Sequence, residues 1–142
     1  MKVLLAIKPE FAEKIFDGSK KFEFRKTIFK SEDVKVVVIY ASSPMQKVIG
    51  EFEIDKVIEM EPEILWEKTK KHSGISKEYF DSYFNEKEKG FAIKIKKLKK
   101  YRSPKCLKAD FNISSPPQSF LYLDKSNKKQ KQSRYLIPSV QT

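Results

Sequence analysis

At 142 residues the chain is about one domain long, which is enough to bury a real core. Thirty Lys and Arg against nineteen Asp and Glu give a formal charge of +11; this suits a polyanionic partner, although a lysine-rich solvated surface produces the same sum. No apolar run approaches the roughly 18 residues of a membrane span, Lys8-Pro9-Glu10 cuts the first apolar segment too short for a signal peptide or anchor, and the lone Cys106 excludes an internal disulfide, so a cytoplasmic location is expected.

Val3, Leu5 and Ile7 alternate as a strand. Pro9 then opens a helix in which Phe11, Ala12, Ile15 and Phe16 make an apolar stripe, ended by Gly18. The run Gly18-Ser-Lys-Lys-Phe-Glu-Phe-Arg25 follows. On an extended strand Glu23 and Arg25 share one face, close enough for either to orient the other, and the turn through 17–19 can swing Lys20 over the same place. Ordinary surface charges on a solvated strand face are the competing reading. Val34 to Tyr40 has the β-branched density of a strand buried on both faces, and Ser42-Ser43-Pro44 is a loop. Val48 to Ile58 alternates again, with Val48, Phe52, Ile54 and Val57 expected inward and Gly50 marking a bulge or close backbone approach.

Pro62 starts a helix through Ile64, Leu65 and Trp66 that Ser73-Gly74 stops, and a second begins at Ser76. Tyr79, Phe80, Tyr83 and Phe84 share one face of it, which points to packing over the end of a sheet, with base stacking as the alternative. Phe91 to Leu98 alternates apolar residues with Lys94 and Lys96, a strand with one wet, basic face. Residues 99 to 123 read as loop, with a last strand within Pro117-Gln-Ser-Phe-Leu-Tyr-Leu123, and from Asp124 the composition is that of a flexible basic tail. The expected organisation is therefore one domain over 1–123 and a tail over 124–142. His72 reads as a solvent-facing helix end and Cys106 as a partly buried thiol.

The spacing Gly18-x-Lys20-x-x-Glu23-x-Arg25, placed among these ordered strands, resembles the signature of the ASCH domain, a relative of the PUA RNA-binding fold. The resemblance covers roughly residues 1 to 123. It implies an α+β, mainly β fold: a small PUA-like β-barrel of about five or six strands, with two or three helices packed outside or across one end. It also implies a cleft that binds RNA or a modified nucleoside or nucleotide through Lys20, Glu23 and Arg25, bordered by Lys8, Ser42, Ser43, Gln118 and Ser119. Arg25 would clamp a phosphate or carbonyl through its planar fork, and Lys20 would add a point charge or serve as a base, with Glu23 orienting either one. For Gln118 and Ser119 a turn closing the barrel is the alternative role.

Two enzymatic branches of the family are relevant. Relatives that resemble N4-acetylcytidine amidohydrolases have a threonine where Glu23 stands, and Thr27 lies too far along the strand to replace it simply. The third catalytic carboxylate is unplaced, with Glu67 and Glu78 in the corresponding region. Relatives that resemble metal-dependent ribonucleases need carboxylates for a divalent ion, for which Glu23, Glu51 and Glu53 are available without a ligand-like spacing. No metal site and no cofactor are expected. Lys20 and Glu23 are the candidate catalytic groups, and the competing classes are an RNA- or nucleotide-binding module, an RNA-processing enzyme, and a partner-binding regulator of transcription or translation.

Overall fold

The structure, a computed structural model, describes residues 1–123; the expected tail from 124 to 142 lies outside the described residues. Strand β1 (Lys2–Ile7) is an interior strand, with Val3, Leu4, Leu5 and Ile7 buried on alternating faces. Pro9 sets the first turn of α1 (Pro9–Phe16), whose Ala12 and Ile15 are fully buried. Asp17 and Gly18 close it with backbone bonds to Glu13 and Ile15, and Gly18 takes the left-handed φ of 87° that reverses the chain into β2 (Phe22–Arg25). Then come β3 (Val36–Ala41), β4 (Lys47–Met60), α2 (Pro62–Thr69) with a 3₁₀ turn at Lys70–His72, α3 (Lys77–Tyr83), β5 (Gly90–Lys105), α4 (Leu107–Phe111) and β6 (Phe120–Leu123).

The six strands form one mixed sheet in the order β2-β5-β4-β3-β1-β6. β1 runs parallel to β3, joined through α1 and β2, and the other pairs are antiparallel. Two opposed clusters fill its faces. One lies around Val3, Leu5, Ile15 and Phe52 under α1; the other lies around Leu4, Tyr40, Val48 and Leu107 under α4. A third, built on Phe24, Leu65, Phe80 and Phe84, packs α2 and α3 against the end of the sheet that carries β2.

Register shifts between Val48 and Gly50, Phe52 and Ile54, and Ile54 and Lys56 bend the β4–β5 ribbon. A Cβ on Gly50 would lie 2.5 Å from the Phe16 ring and 2.6 Å from the Lys99 carbonyl, so the expected close approach is real. The expectation that Val57 faces inward is overturned. Val57 is out of step with Phe52 and Ile54 and is left exposed, whereas Ile58 and Met60, in even step with them, are the residues that pack on the third cluster. The expected closed barrel is also corrected: β2 and β6 are the two sheet edges and no strand ladder joins them, which leaves an open, curled sheet.

Two elements exceed the sequence reading. β5 continues to Lys105 instead of ending near Leu98. Helix α4 lies in the stretch read as loop. Its start is capped reciprocally, the Ala109 amide donating to Cys106 Sγ at 3.4 Å and the Cys106 amide to Asp110 Oδ2 at 2.7 Å, and Asn112 in the left-handed region ends it. Among the described residues no helix is long and apolar enough to cross a membrane.

Candidate functional site

Where β2 and β6 fail to meet, a cleft of about 470 Å³ opens between β1, β2, α3 and the segment leading into β6, within the size range of small-ligand sites. The reversal at Gly18 and a bond from the Lys20 amide to the Lys14 carbonyl send Lys20 inward. Its side chain is only 2% exposed. Nζ donates to the Ser73 carbonyl at 2.7 Å and sits 4.8 Å from the centre of the Phe24 ring and 5.3 Å from that of Phe11. Gly74, with φ 70°, lies against the aliphatic stem: a Cβ there would come within 2.5 Å of Lys20 Cβ. Burial pulls the Lys20 ammonium down to about 8, Glu23 opposing this and Lys14 adding to it.

Glu23 and Arg25 share a strand face, as their spacing requires, and Arg25 Nη1 donates to Glu23 Oε2 at 3.2 Å. The same guanidinium reaches two backbone carbonyls, that of Ala6 on β1 at 3.4 Å and that of Ser119 ahead of β6 at 3.0 Å. Arg25 therefore ties the two sheet edges together at the cleft wall. Beside it, Thr27 Oγ1 and Ser119 Oγ are hydrogen-bonded at 3.1 Å.

Helix α3 divides its aromatic face between two tasks. Phe80 and Phe84 are core, in edge-to-face contact with Phe24. Tyr79 and Tyr83 line the cleft, their rings nearly parallel at 12° and 6.4 Å apart. Lys8 Nζ lies 5.2 Å over the Tyr79 ring and Lys26 Nζ 4.7 Å over that of Tyr83. Burial raises the Tyr83 phenol above its ordinary range, with the charge of Arg25 opposing.

Of the residues expected from sequence, Lys8, Lys20, Glu23, Arg25, Gln118 and Ser119 line the cleft. Ser42 and Ser43 do not; they lie in the β3–β4 turn, where the Ser42 amide bonds to the Ile7 carbonyl. Glu51 is committed elsewhere, accepting from Lys2 and from the Tyr101 hydroxyl, and Glu67 and Glu78 are exposed. Among the described residues no group of three or more His, Cys, Asp or Glu could hold a metal ion. Sequence reasoning missed Lys26, Thr27, Tyr79, Tyr83 and Lys87 as cleft residues. Lys26 and Thr27 directly follow the motif, and the helical spacing of the two tyrosines was visible, though not which side of the helix would face the cleft.

Residues 1–115 match the family model described as a domain of unknown function, DUF365. The chain is 28% identical over 127 residues to an ASCH domain-containing ribonuclease from Zymomonas mobilis, covering 86% of this chain and 84% of that protein. The crystal structure of ASCH from the same organism superposes with a TM-score of 0.81 at 26% identity, covering 96% of this chain and 94% of that one. This chain is also 36% identical over 122 residues to the large ribosomal subunit protein uL22 of Ureaplasma parvum; the match takes in 85% of this chain but spans only 39% of that protein's length.

Proposed function

The chain belongs to the DUF365 family and is an ASCH domain, and from that premise we propose that residues 1–123 bind single-stranded RNA through one nucleotide held in the Lys20, Glu23, Arg25 cleft. The observation that carries this reading is the pairing, in one nucleotide-sized cleft, of a flat aromatic wall with cations at its rim. Tyr79 and Tyr83 offer ring faces to a base. Lys8, Lys26 and Lys87 surround them and suit a phosphate. Below, Glu23 and the Gln118 side chain supply acceptor and donor groups to a base edge, and the buried Lys20 adds positive charge where water is scarce.

Titration with a short single-stranded RNA tests this. Wild type is expected to bind, more weakly as salt rises, and Tyr79→Ala to lose affinity with an unchanged melting temperature. Absence of binding at low salt overturns the proposal.

A second reading, RNA cleavage, draws on the relative named a ribonuclease and on Lys20, whose ammonium at about 8 leaves a substantial neutral fraction near that pH. A neutral Lys20 would take the proton of a ribose 2′-hydroxyl as that oxygen attacks the adjacent phosphorus. The P–O5′ bond breaks with its electron pair on O5′, which takes a proton from water, leaving a 2′,3′-cyclic phosphate and a 5′-hydroxyl; the hydroxide so formed takes the proton back from the Lys20 ammonium. The donor set does not fit a metal-dependent route, since Glu23 is held by Arg25 and Glu51 by Lys2 and Tyr101. Cyclic-phosphate ends formed in the presence of a chelator are the expected product, and cleavage that stops on chelation refutes the Lys20 route.

A further inference from the structure

Beyond the cleft, we infer that the distal half of β5 is a second RNA-contacting surface, a basic track for the strand leaving the cleft; this rests on the cleft reading above. β2 covers β5 only from Phe91 to Lys94, so among the described residues no strand lies against the edge of β5 that faces away from β4 from Lys96 onward. Along that edge Lys96, Lys97, Lys99, Lys100, Arg102 and Lys105 are all exposed. None of them makes an ion pair among the described residues, in contrast to Lys94, which reaches Asp55 at 3.6 Å.

The cations flank both faces of the ribbon. Lys100 lies over the Phe16 ring on the α1 side, whereas Lys99 pairs in register with Glu51, whose carboxyl, although raised by burial, is held below its ordinary range by hydrogen bonds from Tyr101 and Lys2 and by the charges of Lys2 and Lys99. Among them Leu98 is an exposed aliphatic side chain, able to lie against a sugar or base. Ion-pairing within the protein would have neutralised such a row; unneutralised, it concentrates phosphate.

Helix α1 connects the row to the cleft. Its N-terminal end carries Lys8 and Phe11 on the cleft wall and its last residue, Phe16, lies under Lys100. Eight residues make it about 12 Å long, a span of about three or four stacked nucleotides at 3.4 Å each. RNA is favoured over an acidic peptide added as an extra strand, because lysines on both faces follow a backbone of phosphates better than the one-sided pattern of a paired strand.

The test compares the full chain with Lys97→Gln/Lys99→Gln/Lys100→Gln, using uridine monophosphate and a twelve-residue oligouridylate as probes. The triple variant is expected to keep wild-type affinity for the mononucleotide and the wild-type melting temperature. It should bind the oligonucleotide more weakly, with the slope of log affinity against log salt reduced by about 2, or about 0.7 for each phosphate contact removed. An unchanged oligonucleotide affinity and slope overturns the track while the mononucleotide result still stands for the cleft. Mononucleotide failing to bind wild type, with oligonucleotide binding still lost in the triple variant, removes the cleft reading and keeps the track. Oligoglutamate of equal charge competing as well as the oligonucleotide overturns the assignment to RNA.

Discussion

The Arg25 guanidinium donates to the Ser119 carbonyl at 3.0 Å, spanning the gap between the two sheet edges that no ladder closes. With the bond to Ala6 and the pair with Glu23, this makes Arg25 a cross-tie of the cleft as well as a charge on its wall.

Arg25→Ala is accordingly expected to destabilise the fold by roughly 1.5–3 kcal/mol, because charge-assisted bonds to two carbonyls are lost and a largely buried Glu23 is left without its cation. Adding Glu23→Gln should recover part of that loss. Urea unfolding of the single and double variants measures the coupling, and an Arg25→Ala curve superimposed on wild type contradicts the cross-tie.

Lys20 makes stability depend on alkaline pH. Its folded value, about 8, lies below the ordinary lysine value, so between the two the unfolded chain binds more protons and stability rises with pH. Relative to Lys20→Met, which lacks the titrating group, wild type should gain on the order of 1–3 kcal/mol as the pH is raised from about 8 to about 10.5, since a full proton difference contributes about 1.4 kcal/mol per pH unit. Parallel unfolding curves across that range provide the check, and a wild-type advantage that stays flat argues against a buried ammonium.

Gly74→Ala should cost more than Gly18→Ala. Both glycines have positive φ, at 70° and 87°, which costs an alanine about 1–2 kcal/mol. Only at Gly74 would the new methyl also collide with the Lys20 stem; around Gly18 nothing lies within 4 Å. Thermal melts of the two variants decide the order, and Gly74→Ala should also displace Lys20 and weaken nucleotide binding.

The two halves of the α3 aromatic face should separate in mutants. Phe80 is fully buried, so Phe80→Ala is expected to destabilise by about 3–5 kcal/mol. Tyr79→Ala should leave stability nearly unchanged and remove a stacking contact of about 1–3 kcal/mol from RNA binding. Paired melting and titration data for each variant test the split; equal melting losses would merge the two roles.

Much of this was legible in the chain. Period-two stretches located the strands, Pro9 and Pro62 marked two helix starts, and the i, i+2 spacing put Glu23 beside Arg25, because local geometry alone sets side-chain direction. Helix α4 had a signal too, in Cys106, Asp110 and Asn112, hidden by a proline-rich neighbourhood. Val57 was misjudged on its β-branched side chain: the even step of Phe52 and Ile54 continues to Ile58 and Met60, which pack on the third cluster, and leaves Val57 outside.

By itself, then, the sequence determined most of the elements, though neither α4 nor the distal half of β5, and the charged triad, which follow from backbone periodicity and from residue types at short spacing. Tertiary structure alone decided that Lys20 is buried against Ser73 and Gly74, fifty-three positions away for the bonded pair, that Ser119 meets Arg25, and that Tyr79 and Tyr83 face a cleft while Phe80 and Phe84 fill the core. Those relationships arise where distant segments share one volume, and which segment fills it depends on sheet order and curl, for which no local pattern codes.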